Sequence, residues 1–156
     1  MPTERARTEY DSPLAYERAR IGAAAIYCSD GRVGEHFDDF LQNGLRLPRY
    51  DRVALPGGAA CLAGHPQAHV AEQGVVDELK FLVDVHQLRR VVLIAHQGCA
   101  FYTERLQLSD RRLELVQRAD LVRAASFVRR VTGIDDVQGY FARLTDSNIR
   151  FEWIEV

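Results

Sequence analysis

The sequence predicts an α/β fold: a mostly parallel central sheet flanked by helices, with a C-terminal antiparallel edge strand. Short, nearly continuous apolar runs alternate with longer segments of helical periodicity. Continuous apolar runs belong to strands covered on both faces, and alternation with helices builds a parallel sheet with right-handed crossovers. The chain also closes on two strand-like segments around a turn cluster, the pattern of a hairpin.

Each element follows from its residues. Ile21–Cys28 (IGAAAIYC) reads as the first buried strand, and Ser29–Gly34 as a polar, glycine-containing loop. Val33, Phe37, Phe40 and Leu41 fall near helical spacing, so Val33–Leu45 is expected to be helical and to stop by Gly44. Arg52–Leu55 is a second strand, ended by Pro56-Gly57-Gly58. Gln67–Leu88 is the longest helical candidate, with Val70, Val75, Val76, Leu79, Leu82 and Val83 on or near one stripe. Arg90–Ala95 (RVVLIA) is the clearest strand, and Ser109–Val131 is a charged helix. Val137–Thr145 and Ile149–Val156 flank the turn Asp146-Ser147-Asn148. Residues 1–20 are too polar to build a core and read as an N-terminal arm, with a short helix expected around Leu14–Arg20. Residues 21–156 then form a single α/β domain.

The composition narrows the function classes. A chain of 156 residues buries enough surface to hold a core without disulfides. A formal net charge of −2 gives no basic field for nucleic acid. No apolar run approaches the roughly 20 residues of a membrane span. The polar, charged N-terminal stretch lacks the apolar segment of an export signal. An odd count of 3 cysteines makes no disulfide framework, so a reducing, cytoplasmic setting is expected. Of the 20 basic residues all but Lys80 are arginine, a bias that codon usage explains without any function.

Chemistry collects at two strand ends. In parallel α/β sheets, ligands sit beyond the carboxyl ends of the strands. The first strand ends in Cys28-Ser29-Asp30-Gly31-Arg32, the third in His96-Gln97-Gly98-Cys99. If the two strands are parallel neighbours, these loops meet. Cys28, His96 and Cys99 then supply three of zinc's four tetrahedral ligands, and the fourth position is either open to water or closed by Asp30. Three protein ligands with one open position is the catalytic arrangement. Asp30 and Arg32 are spaced to pair, which holds the carboxylate off the metal; the alternative is a solvated loop ion pair. The alternative for the cysteines is that they are core thiols.

The pair Cys28-x-Asp30-x-Arg32 and His96-x-x-Cys99, separated by a strand and a long helix, resembles the β-class carbonic anhydrases over about residues 21–156. Gly57-Gly58 and the terminal strand–turn–strand belong to the resemblance. It implies zinc held by Cys28, His96 and Cys99, an Asp30–Arg32 dyad, carbon dioxide and bicarbonate as substrate and product, and a homodimer or higher homo-oligomer whose N-terminal arm crosses the partner. The chain departs from the family pattern at Ala54-Leu55-Pro56-Gly57, where Arg-Asn-Ala-Gly is usual, and at Ala100, where glycine is usual. Alternatives are a related zinc hydrolase of carbon disulfide or carbonyl sulfide, a non-catalytic zinc-binding homologue, and a redox sensor using Cys28 and Cys99.

Other residues invite simpler readings. Cys61, His65 and His69 are spaced by four, but Gly64 and Pro66 break a regular helix there, so the segment reads as a loop with Cys61 as a packing thiol. His36 reads as part of a solvated helix face, His86 as a helix-end histidine, and Tyr102 as either pocket lining or aromatic packing. Gly57 and Gly58 serve either a tight turn or a close backbone approach to the site. No glycine-rich phosphate-binding pattern follows a strand.

Overall fold

A computed structural model describes residues 8–156. Five strands form one sheet in the order β2-β1-β3-β4-β5. They are β1 (Ala23–Cys28), β2 (Asp51–Leu55), β3 (Arg90–His96), β4 (Asp136–Leu144) and β5 (Ile149–Ile154). The first four are parallel, and β4 and β5 form the expected antiparallel hairpin. The α/β class and the antiparallel edge strand are as the sequence predicts.

The central strands are as apolar as their position demands. Every residue of β1 is buried, and so is every residue of β3 after Arg90. Helix α1 (Gly34–Asp39) widens into a π-helical turn, Phe40–Gly44, and packs one face of the sheet. There Phe37 meets Tyr27, and Phe40 stacks on Phe151 and meets Tyr140 edge-on. Helix α2 (His69–His86) and helix α3 (Asp110–Thr132) pack against each other, and α3 covers β3 and β4. Because side chains alternate along a strand, β4 sends Tyr140 to one face and Phe141 to the other.

Four expectations change. Residues 8–20 contain no helix and are exposed, so the helix around Leu14–Arg20 is not formed. A short isolated helix costs more to nucleate than it regains, and this one would have no apolar face to bury. The rest of the proposed arm, residues 1–7, lies outside the described residues. Helix α2 begins at His69, after a 3-10 turn at Pro66–Ala68. Val70 is 83% exposed and does not belong to the buried stripe, which is Val75, Leu79 and Leu82. Its periodic position falls in the first turn, ahead of the buried stripe. His86 does more than end α2: its Nδ1 lies 2.6 Å from Asp51 Oδ2 at the start of β2.

The hairpin is tied to α3 by ion pairs. Arg143 donates to Glu152 and to Glu114, each at 2.6 Å, and Arg118 bonds the same two carboxylates at 2.8 and 3.0 Å. Arg143 first, helped by Arg118, holds both glutamates below their ordinary value of 4.5. A lowered carboxylate stabilises the fold above its unfolded value, and that contribution is lost as pH falls through the folded value. Arg143→Met is therefore expected to flatten the fall in Tm between about pH 5 and about pH 3. Thermal melts across that range check it; an unchanged slope would show that the network carries none of the acid sensitivity.

Candidate metal centre

The register of the sheet builds the site. Ile26 of β1 pairs with Leu93 of β3, so both strands run out at the same carboxyl edge. Cys28 is the last residue of β1 and His96 the last of β3. Cys99 follows one turn later, past Gly98, whose φ is +75°. The two sulfur atoms lie 3.9 Å apart, and the potential ligand atoms of Cys28, His96 and Cys99 all fall within 4.8 Å of one another. All three residues are buried.

His96 is held in one orientation. Its Nδ1 donates to the Gln97 carbonyl at 2.8 Å, which fixes the tautomer and leaves a lone pair on Nε2. Nε2 is buried without a hydrogen-bonding partner. A buried acceptor without a partner is costly, and a cation at this point would satisfy it. The Gln117 side chain donates to the His96 carbonyl at 2.7 Å, which anchors the end of β3.

The thiols form a coupled pair. Cys28 is pulled below its ordinary range, chiefly by the hydrogen bond shared with Cys99, with burial opposing and with His96 and the backbone N–H groups of Gly57 and Asp30 helping. Cys99 is pushed up by that same hydrogen bond, by burial and by the Cys28 charge. At 3.9 Å the two sulfurs are placed to share a proton, which a metal ion would displace. Tetrahedral zinc, with bonds of about 2.3 Å to sulfur, spans sulfurs about 3.8 Å apart, so the observed spacing suits it.

The glycine pair sits behind Cys28. Gly57 has φ +80° and Gly58 φ +54°. A Cβ on Gly58 would lie 2.8 Å from the Tyr27 carbonyl carbon and 2.9 Å from the Cys28 nitrogen, both backbone atoms. A Cβ on Gly57 would strike the Phe101 ring at 2.5 Å. Both readings of these glycines therefore hold: they make the turn, and they let backbone approach the site.

Asp30 and Arg32 are paired as the spacing suggests. Arg32 Nε and its terminal nitrogen grip both carboxylate oxygens at 2.6–3.1 Å, and the Arg32 backbone N–H adds a fourth bond at 3.0 Å. The guanidinium holds the Asp30 carboxyl down at about 2. Asp30 is not part of the three-residue ligating group. A cavity of about 360 Å³ opens here; Asp30, Arg32, His36 and His96 line one side and the β4–β5 turn the other.

The remaining candidates separate. Cys61 is fully buried, and burial followed by the Glu72 charge raises its thiol to about 12, so it is a packing thiol. His65 turns to Asp120 at 2.6 Å, while His69 lies exposed beside Gln73. Tyr102 does not line the cavity; it is buried and donates to Asp120 at 2.7 Å. Sequence reasoning passed over Gln117 and Asp120. The signal was present: both interrupt the inward stripe Leu113, Leu121, Ala124 and Val128 of α3 with polar side chains, and both are buried.

Fold and site together define an α/β protein with a Cys-His-Cys group that could hold a metal, and a gripped carboxylate, at the carboxyl edge of its parallel strands. The chain belongs to a carbonic anhydrase family: the family model described as "Putative carbonic anhydrase" matches residues 19–145. Its fold is similar to that of β-carbonic anhydrase isoform I from Trichomonas vaginalis, with a TM-score of 0.56 and 11% identity over 90% of this chain and 87% of that one. The β-carbonic anhydrase CafA of Aspergillus fumigatus aligns with a TM-score of 0.43 and 16% identity, over 86% of this chain and 76% of that one. No curated protein matches the sequence.

Gly58→Ala is expected to destabilise the fold by about 2–4 kcal/mol, from left-handed strain plus overlap with rigid backbone. Denaturant unfolding measures it, and a loss below about 0.5 kcal/mol would mean that the turn shifts freely.

Proposed function

We propose that the protein is a zinc-dependent carbonic anhydrase, catalysing the reversible hydration of carbon dioxide to bicarbonate. The observation that carries this reading is the partnerless, buried Nε2 of His96 grouped with two cysteine sulfurs at the edge of the sheet. Family membership supports the choice of substrate.

In this reading Cys28, His96 and Cys99 hold the metal. Zinc, when bound, supplies Lewis acidity that lowers the pKa of a water ligand towards about 7. The chain's own groups do the rest. The Gln97 carbonyl keeps His96 in the tautomer whose Nε2 can ligate. The N–H groups of Gly57 and Asp30 spread the charge of the Cys28 thiolate. Arg32 keeps Asp30 ionised and turned from the sulfurs, so that its carboxylate can accept a hydrogen bond from the attacking water and orient it. The cavity admits substrate past His36 and the β4–β5 turn. The homodimer is also part of the proposal, supported by the exposed Tyr10, Leu14 and Tyr16 in residues 8–20.

Stopped-flow hydration, run on protein whose zinc content is measured in the same sample, tests the reading. Zinc near one per chain with turnover well above buffer is expected; zinc without turnover on either side of neutral pH would reject it. Asp30→Asn should retain zinc and lose turnover by about 10²-fold or more. Cys99→Ser should lose the metal, and full zinc retention would overturn the ligand assignment.

A further inference from the structure

Behind Cys99, on the side away from the cavity, lies a second polar cluster that the site does not use directly. Asp120 of α3 is 1% exposed. One of its oxygens accepts from the Tyr102 hydroxyl at 2.7 Å and meets His65 Nε2 at 2.6 Å; the other accepts from Arg123 at 3.3 Å. Three separate segments are thus tied at one buried carboxylate: α3, the π-helical turn Phe101–Arg105, and the turn at His65.

The middle of these tied segments is the one that supports the thiols. The turn begins two residues after Cys99 and is bonded back to it. The Tyr102 N–H donates to the Cys99 carbonyl at 3.1 Å. On its other side the Phe101 ring fills the space over Gly57, the residue before the glycine whose close approach to Cys28 leaves no room for a Cβ. His65 packs edge-on against both Phe101 and Tyr102, each at 6.4 Å. One turn therefore ties the backbone of Cys99 and braces the glycine pair against Cys28.

We propose that Tyr102, Asp120 and His65 are positioning residues for the Cys28–His96–Cys99 group, and that their hydrogen-bonded chain sets how tightly the group holds its metal. The inference rests on the metal-binding reading above. An apolar turn of similar volume would fill the same space but would leave the backbone around Cys99 free to drift. The buried carboxylate fixes the turn through bonds with defined direction, as outer partners of metal ligands commonly do.

The test measures zinc affinity by chelator competition and the absorption spectrum of the cobalt(II)-substituted protein, for Tyr102→Phe, His65→Ala and His65→Gln. Tyr102→Phe removes only the hydroxyl, and His65 is part-exposed, so these variants separate positioning from folding. Tyr102→Phe and His65→Ala are each expected to weaken zinc binding by about 10-fold or more and to shift the cobalt bands. His65→Gln, which keeps an N–H donor for Asp120, should recover much of the affinity. Unchanged zinc affinity and cobalt spectrum in Tyr102→Phe and His65→Ala, with only a lower Tm of the metal-free protein, would overturn the inference and leave the metal reading intact. Failure of the unaltered protein to bind zinc would overturn both.

Discussion

Cys28 and Cys99 stand 71 residues apart in the chain, and the parallel pairing of β1 with β3 brings their sulfurs to 3.9 Å. That pairing is only possible because both strands are apolar on both faces, with helix α1 on one side and α3 on the other. A one-residue slip in register would turn Cys28 to the opposite face of the sheet from its present one. The burial of strands that carry no chemistry therefore fixes the geometry of those residues that do.

Around this frame the polar groups solve one electrostatic problem. Two sulfurs and an imidazole are buried in contact, where unpaired charge is expensive. The fold answers with backbone donors: N–H groups of Gly57 and Asp30 at Cys28, and of Phe101 and Tyr102 at Cys99. Backbone donors carry no rotamer entropy, but they must come close. Gly58 meets that requirement by leaving no room for a Cβ against Tyr27 and Cys28. Asp30 lies where solvent still reaches, and its charge is held by an arginine rather than by the backbone frame alone.

Much of this was legible in the sequence because strands that end in Cys or His announce their chemistry at a fixed place. The parallel order, the hairpin and the Asp30–Arg32 pair follow from local pattern and spacing. Asp120 and Gln117 did not, because a polar residue on a helix is ordinary until its face is known to be buried. Gly64 and Pro66 rightly set aside the spacing of Cys61, His65 and His69 in fours, but the turn of His65 to Asp120 joins residues 55 apart, beyond the reach of local pattern. The Arg143 network required three elements to converge, which no local window contains.

The separation of the two halves of the site also orders assembly. His96 and Cys99 are close in sequence, but Cys28 joins them only when β1 and β3 have paired, with a strand and two helices between them in the chain. Contacts of such long range form late, because loop closure is unfavourable until burial compensates it. A metal ion meeting the nascent chain would find at most the His96–Cys99 half, a weak chelate. If the group holds a metal as proposed, full coordination would follow the completed sheet rather than nucleate it, so the chain would fold on its hydrophobic pattern and the metal would slow only unfolding.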